Sequence, residues 1–421
     1  MWFAGGATTT FEVPPGTRLG GYADRAAGAT GTHDELEISA LSLRFDDRWM
    51  HIITADVIGL DSDLPVDIAR AAGIDASSLL LCATHTHSGP LGIAHRLHPA
   101  SPLTVEPGPR ARFIETAATA VTSATAAMRP VILATGESRI EGVWTNRTDP
   151  QAPGDDRVRF LTATGEDGAL VALLVLVPCH PTVLGAWNLD VSADLHGGTR
   201  RAIRSRLGAA GDGVTILTAT GAAGDISTRF ARRESSFEEV DRLGDLVAAS
   251  VLSGLEHAKP INGGLRRTSE TATLPMRERD AESEAMALRD ALGAWNAVKG
   301  DPTVPEAEKR RVYTRLQGAR ILREMGQLSP VTTTVDCWRL GNSLAIAAIG
   351  GEPFSSCGRL VEADSPFDVT WLVGYANGYL GYLVDAAAME AGTYEALASP
   401  YGPGASQVVV DAAVKALRDL A

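Results

Sequence analysis

The sequence predicts an α/β fold: a mixed β-sheet core flanked by helices, with a helical hairpin inserted between two strands. Through most of the 421 residues, short apolar runs of strand length alternate with segments whose apolar residues recur at helical spacing. Hydrophobic residues make up 45% of the chain, which is enough for a sizeable core. Because no internal repeat or long linker interrupts this pattern, we predict one domain over residues 1–421.

Local periodicity and turn residues place the individual elements. Alternating apolar residues predict a hairpin of strands over 39–45 and 49–57, joined at 46–48. Further strands are predicted over 78–83, 158–163, 170–177, 214–219, 265–275, 332–340 and 343–350. Helices are predicted over 64–72, 109–128, 193–207, 237–255 and 406–420.

Residues 276–328 differ from the rest of the chain in composition. Ala, Glu, Arg and Leu dominate this segment, and Gly300-Asp301-Pro302 interrupts its middle. The pattern predicts two helices that pack as a hairpin and are inserted between strands. A charge-rich insert of this kind is either a solvated face or a lid over the functional site, and the sequence leaves both open.

Charge and composition argue against several classes of function. The chain carries 51 Asp and Glu against 38 Lys and Arg, so we expect no nucleic-acid partner. No apolar run reaches the roughly 18 residues of a membrane-spanning helix, and the N-terminus has neither a basic nor an apolar signal region. Four cysteines lie apart without CxxC spacing: Cys82, Cys179, Cys337 and Cys357. We therefore expect a cytoplasmic protein with free thiols.

Three predicted strands end in residues that bind metals. His85 and His87 follow the strand over 78–83, and in extended chain both imidazoles would face one way. His180 follows the strand over 170–177, and Glu352 follows the strand over 343–350. Each residue taken alone is as well explained by an ordinary polar strand end. Together they supply His, His and Glu, the ligand types of a catalytic zinc site.

Other polar segments could serve the same site. Residues 219–228 form a loop of small residues that ends in Ser227, a possible nucleophile or hydrogen-bond donor. Arg147 lies in a polar turn over 144–149, and the segment 374–383 is rich in tyrosine. Tyrosines at turns are usually packing residues. Catalysis by Cys179 beside His180 is disfavoured, because adjacent side chains on a strand point apart.

Taken in order along the chain, these motifs resemble those of neutral (non-lysosomal) ceramidases, from Gly20-Gly21-Tyr22 to Tyr401-Gly402-Pro403. The resemblance implies a zinc site made by His85, His180, Glu352 and Tyr382. It also implies that His87, Arg147 and Tyr394 face the substrate, that Ser227 is the active-site serine, and that Asn188, Ser192 and Asp194 have a supporting role.

The resemblance implies a zinc-dependent hydrolase that cleaves an amide (N-acyl) bond by zinc-activated water. His87 and Tyr394 would donate hydrogen bonds to the developing oxyanion, and Ser227 would position the water or substrate or attack it directly. Secreted ceramidases carry a signal peptide and an immunoglobulin-like C-terminal domain, and we expect neither here. A zinc-dependent ester or lactone hydrolase and a non-catalytic binding protein on the same fold are the alternatives.

Three departures from the ceramidase pattern surround the expected substrate pocket. Ser227 is followed by Thr228-Arg229 instead of Pro-Asn, His180 by Pro181 instead of Gly, and Val384-Asp385 replaces a Thr-Thr pair. The substrate is therefore a small-molecule amide or a lipid-like one, either ceramide or a smaller N-acyl compound. The oligomeric state is not predicted.

Overall fold

The computed structural model describes residues 1–94, 96–98, 101–102, 107–326 and 329–421. Its strands are β1 Trp2–Phe11, β2 Gly31–Thr32, β3 Leu36–Phe45, β4 Arg48–Ala55, β5 Leu79–Ala83, β6 Arg96–His98, β7 Ser101–Pro102, β8 Arg129–Arg139, β9 Thr145–Asn146, β10 Arg157–Gly165, β11 Leu170–Val177, β12 Asp190–Val191, β13 Thr215–Thr220, β14 Ile226–Ser227, β15 Lys259–Pro260, β16 Leu265–Leu274, β17 Val331–Leu340, β18 Leu344–Ala348, β19 Glu352–Pro353, β20 Val369–Val373 and β21 Tyr382–Leu383.

The helices of the described residues lie mostly between these strands. They are α1 Leu64–Ala72, α2 Pro107–Ala126, α3 Asp194–Leu207, α4 Phe237–Gly254, α5 Ala281–Val298, α6 Glu306–Glu324, α7 Ser355–Asp364, α8 Ala386–Ala391, α9 Tyr394–Ala398 and α10 Ala405–Leu420. None of them is both long and apolar enough to cross a membrane.

Two sheets form the core. The larger has the order β13-β11-β10-β8-β1-β3-β4-β5, with β15 paired to β8, and the smaller has the order β16-β17-β18-β20. The pairs β11–β13, β4–β5 and β18–β20 are parallel, and the other pairs within these two sheets are antiparallel. Both sheets are therefore mixed, and the predicted α/β class is confirmed.

The sheets pack face to face and helices cover their outer faces. Leu41 and Leu161 of the larger sheet share one apolar cluster with Trp338 and Trp371 of the smaller sheet. The outer face of the larger sheet packs against α1 and α2 at one end and against α3 and α4 at the other. Helices α7 and α10 cover the smaller sheet. Because many strands are buried on both faces, they appear in the sequence as nearly continuous apolar runs, as in β11.

The local predictions agree with this architecture, but they omit several elements. The predicted hairpin over 39–57 is the antiparallel pair β3–β4, and the strands over 158–163 and 170–177 are the pair β10–β11. The sequence analysis missed β1, although this strand lies in the middle of the larger sheet. It also missed α7. Strand β1 contains the run Ala4-Gly5-Gly6-Ala7, which lacks the apolar alternation of a typical half-buried strand.

The predicted helical insert is present as α5 and α6, which lie between the neighbouring antiparallel strands β16 and β17. Gln327 and Leu328, at the end of the predicted range, lie outside the described residues. Leu316 and Ala319 of α6 pack against Leu397 of α9. The Nε2 atom of Gln317 donates to Asp24 Oδ2 at 2.7 Å. The insert is therefore packed on one face, and it contacts the segments that carry Tyr394 and Tyr22.

Helices α3 and α4 approach each other at two glycines. A Cβ atom at Gly244 would lie 2.4 Å from the carbonyl carbon of Gly198, and one at Gly198 would lie 2.6 Å from the carbonyl oxygen of Val240. Backbone atoms cannot move aside as a side chain can, so this contact requires glycine. The glycine pair thus sets the spacing of the two helices that support β10, β11 and β13.

Paired glycine substitutions test this packing. We expect Gly244→Ala to lower the free energy of unfolding by about 1–3 kcal/mol, since the added methyl group overpacks a backbone contact. Gly293 is also inside a helix, but nothing lies within 4 Å of its added Cβ. We expect Gly293→Ala to raise stability by about 0.5–1 kcal/mol through helix propensity. Urea denaturation measures both, and a stabilising Gly244→Ala would contradict the close approach.

Candidate metal centre and active site

The candidate site lies where strands of both sheets end. His85 follows β5, His180 follows β11 and Glu352 follows β18. Backbone hydrogen bonds connect the segments: the amide of Ala83 donates to Tyr375 at 3.0 Å, and that of His180 donates to Ile226 at 3.0 Å. The three strand exits selected from the sequence are therefore brought together by the packing of the two sheets.

His85 and Tyr375 adopt left-handed backbone conformations, with φ of 63° and 55°. Such conformations cost about 1–3 kcal/mol for residues other than glycine and cluster at functional sites. The two rings are in contact, with centroids 4.4 Å apart. His85 is buried in this conformation, with only 2% of its surface exposed.

Two backbone carbonyls determine the tautomers of the buried histidines. The Nδ1 atom of His85 lies 2.6 Å from the Ile58 carbonyl oxygen, and that of His180 lies 2.6 Å from the Ala223 carbonyl oxygen. A carbonyl oxygen can only accept, so each Nδ1 carries a proton. In a neutral ring the Nε2 atom then carries a lone pair, which is the arrangement of metal-binding histidines.

These lone pairs converge with other acceptor atoms. Glu352 Oε2 lies 2.8 Å from His180 Nε2 and 3.6 Å from His85 Nε2. His87 Nε2 lies 3.3 Å from His85 Nε2, and ligand atoms of His85, His87 and His180 all lie within 4.8 Å of one another. Ligands of a tetrahedral zinc ion with bonds of about 2.0 Å are about 3.3 Å apart. The donor set therefore fits a divalent metal ion. The histidine Nε2 atoms and the Glu352 carboxylate carry no proton between them, so a cation would supply the missing partner.

The pKa values favour this interpretation. Burial lowers the pKa of His85 to about 4, and it also lowers the pKa of His180 and of His87. Burial opposes ionisation of Glu352, but its histidine neighbours and Tyr379 outweigh it and lower the pKa of the carboxyl group to about 2. At neutral pH the three imidazoles are neutral and the carboxylate is ionised, as metal coordination requires.

Tyr382 lies beside this cluster and is held by an arginine. Its ring stacks on that of His180 with centroids 6.3 Å apart, and its hydroxyl oxygen accepts from Arg147 Nη2 at 3.0 Å. The Nε atom of Arg147 donates to Glu395 Oε1 at 2.7 Å. Burial raises the pKa of Tyr382 well above its usual value, while Arg147 opposes that shift. The cation fixes the phenol and favours its ionised form.

Ser227 and Tyr394 flank the same cluster. Ser227 pairs with His180 in a parallel bridge, and its Oγ accepts from the amide of Arg229 at 3.3 Å. The Tyr394 ring contacts that of Tyr382 with centroids 5.7 Å apart. Burial raises the pKa of Tyr394 to about 12, so its hydroxyl remains a donor at neutral pH. All eight site residues selected from the sequence therefore lie in one neighbourhood.

The stretch 188–194 supports the histidine loops. Asn188 Nδ2 donates to Ser88 Oγ at 3.0 Å, and the Ser192 carbonyl accepts from Thr86 Oγ1 at 2.6 Å. The carboxylate of Asp194 accepts from the amides of 183 and 184, which follow His180 along the chain. This stretch thus positions both histidine-bearing loops.

Several residues of the site were not selected from the sequence. The Tyr379 hydroxyl donates to Glu352 Oε1, although the tyrosines of this segment look like packing residues in the sequence. Asp225 accepts from the amide and hydroxyl of Ser355, at 2.6 and 2.7 Å, and so connects the Ser227 loop to the Glu352 segment. Glu395 lies 248 positions from Arg147 along the chain. No local pattern marks such partners.

Cys179 is buried and its thiol pKa is raised by burial, in agreement with its exclusion as a nucleophile.

Comparison with known proteins gives a fold relationship. No protein-family model matches the sequence, and no curated protein matches it. The solved structures that match include the neutral ceramidase from Pseudomonas aeruginosa, with 19% identity and a TM-score of 0.77, and a ceramidase complexed with C2, with 18% identity and a TM-score of 0.77. The alignments cover 99% and 100% of this chain and 75% of each matched chain. The resemblance to neutral ceramidases that the motifs predicted is thus confirmed for the fold: the chain folds as these ceramidases do.

Proposed function

We propose that the chain is a zinc-dependent hydrolase that cleaves an amide (N-acyl) bond, as ceramidases do. The observation that carries the proposal is the pair of buried histidines whose Nδ1 atoms are held by backbone carbonyls, so that both Nε2 atoms face Glu352. Structural similarity to two ceramidases supports the amide-cleaving class.

Under this proposal His85, His180, Glu352 and Tyr382 hold the metal. A zinc ion bound there would polarise a carbonyl group and lower the pKa of a water molecule to about 7. Glu352 is positioned for this role, since the Tyr379 hydroxyl donates to its Oε1 and its Oε2 lies 2.8 Å from His180 Nε2, where a metal ion would be shared. His87 also lies within ligand range of the other histidines. We assign it to the substrate because it is less buried than His85 and His180.

The remaining side chains would act on the substrate. The Nδ1 atom of His87 is buried and has no hydrogen-bond partner among the described residues. His87 and Tyr394 can therefore donate to the oxygen that becomes negatively charged when the amide carbonyl is attacked. Ser227 lies next to His180 and can position the attacking water or the substrate. Arg147 holds Tyr382 and keeps its phenol oriented toward the histidines.

Metal content and amide hydrolysis test the proposal together. We expect about one zinc per wild-type chain and release of the carboxylic acid from an N-acyl amide, acetate from C2-ceramide or laurate from N-lauroylethanolamine. His180→Ala removes one of the proposed metal ligands. We therefore expect this variant to lose both its zinc and its amide-hydrolysing activity. Elemental analysis measures the zinc content, and chromatography of the released acid measures the activity.

A matched variant separates metal binding from substrate contact. His87→Gln should keep its zinc and lose activity by about 100-fold or more, as expected for an oxyanion donor. Loss of zinc in this variant would make His87 a ligand. Wild-type protein that binds no zinc, or that binds zinc but hydrolyses only esters or lactones, would overturn the amidase assignment.

Proton release on zinc binding tests Tyr382 as a ligand. At pH 7 the histidines are already neutral and Glu352 is ionised, whereas the pKa of Tyr382 is raised well above 10. A coordinating phenol must lose its proton, so Tyr382→Phe should release about one proton fewer per zinc than wild type. Calorimetry in buffers of different ionisation enthalpy gives this number. An unchanged number with unchanged zinc affinity would remove Tyr382 from the ligand set.

A further inference from the structure

Three arginines at the candidate site have no carboxylate partner. Arg229, Arg232 and Arg310, here called the arginine rim, form no salt bridge within the part of the chain that the structure describes. Buried arginines elsewhere are paired: Arg200 binds Asp56 at 2.5 Å. The three rim arginines are partly buried, where a charge without a partner is unfavourable.

Two members of the rim contact segments of the site directly. Arg229 lies two positions after Ser227 and donates to the carbonyl of Arg147 at 2.8 Å. Arg232 donates to the carbonyl of Thr182, two positions after His180. These two contacts place the rim next to the residues proposed to bind and position the amide.

The third arginine comes from the helical insert. The Arg310 guanidinium lies over the Tyr22 ring, 5.7 Å from its centroid, and that ring contacts His87 with centroids 4.9 Å apart. Arg310 is also an electrostatic neighbour of Tyr394 and Arg229. Helix α6 therefore adds positive charge to the rim between the two proposed substrate-facing residues.

Two carboxylates that interact electrostatically with Arg229 are already bound to other arginines. Glu395 Oε1 binds Arg147 at 2.7 Å, and Glu308 Oε2 binds Arg311 at 2.8 Å. Burial lowers the pKa of Arg229 to about 9, and Arg147, Arg310 and Arg232 repel its charge further. Like charges held together in a partly buried site are unfavourable unless an anion is bound among them.

We propose that the arginine rim binds a carboxylate of the substrate, so that the amide cleaved is that of an N-acyl amino acid or a similar anionic amide. This inference rests on the proposed hydrolase function. Planar guanidinium groups bind carboxylates in a bidentate manner, and their field concentrates anionic ligands at the site. Since Arg229 lies so near Ser227, the carboxylate lies within a few bonds of the scissile amide.

The reaction is balanced by water alone. The C–N bond of the amide breaks, a C–O bond forms from water, and the proton of that water passes to the leaving nitrogen. The products are a carboxylic acid and an amino acid, and the substrate carboxylate is unchanged throughout.

A pair of substrates with a common acyl chain tests the inference. N-lauroylglycine carries the carboxylate, and N-lauroylethanolamine has a neutral hydroxymethyl group in its place, so laurate release reports on both. We expect wild-type, zinc-loaded protein to prefer N-lauroylglycine in kcat/KM by about 10-fold or more, as charge-assisted hydrogen bonds allow. The double variant Arg229→Gln, Arg310→Gln should reduce this ratio to near 1. Because the ratio is measured within one protein, partial misfolding does not change it.

Arg289→Gln is the matched control. Arg289 is exposed on α5 of the same insert, and Arg289→Gln removes one positive charge from the insert, as Arg310→Gln does, without touching the rim. This control should keep the wild-type ratio. A wild-type ratio of 1 or below, or a ratio that survives in the double variant, would overturn the anionic substrate while leaving amide hydrolysis in place.

A binding measurement distinguishes failure of this inference from failure of the proposed function. If the zinc-loaded protein hydrolyses neither compound, calorimetry measures how tightly each compound binds to the protein in EDTA. This measurement tests the anion site independently of hydrolysis. Tighter binding of N-lauroylglycine, lost in the double variant and kept in Arg289→Gln, would support the anion site without the hydrolase. Equal binding of the two compounds would exclude the site.

Discussion

The chemistry of the candidate centre depends on two hydrogen bonds to backbone carbonyls. The carbonyls of Ile58 and Ala223 hold the Nδ1 protons of His85 and His180 at 2.6 Å, which leaves both Nε2 lone pairs pointing toward Glu352. A side-chain partner could rotate away or change its protonation, whereas a backbone carbonyl in a packed loop can do neither. The rigidity of the centre is therefore inherited from the ends of the two sheets.

The loops at these strand ends are stabilised by buried polar contacts and not by apolar packing alone. Asp225 binds the Ser355 amide and hydroxyl, and Asp194 accepts from two amides that follow His180. Burial raises the pKa of both carboxyl groups to about 6, although their hydrogen bonds oppose the shift. The same neighbourhood contains the left-handed backbones of His85 and Tyr375, which persist only where the surrounding structure holds them.

Arginines serve two different purposes in this chain. Arg147 and Arg200 are buried against carboxylates, and such pairs determine orientation more than they add stability. The rim of Arg229, Arg232 and Arg310 lacks such partners among the described residues, and the helical insert supplies one of its members. The insert is therefore more than a solvated face, since it contributes charge beside His87 and Tyr394.

The sequence by itself determined the α/β class, most of the longer strands and helices, the insert and the residue types at three strand exits, because periodicity and turn residues are local properties. The resemblance to ceramidases added Tyr382 and Tyr394. Only the tertiary structure decided that β1 is central to the larger sheet, that Tyr379 binds Glu352 and that the rim arginines lack carboxylate partners. These features depend on contacts between distant parts of the chain: His180 and Glu352 are 172 positions apart, and Arg147 and Glu395 are 248 apart. No local pattern carries such information, since it arises only when two sheets pack and their strand ends meet.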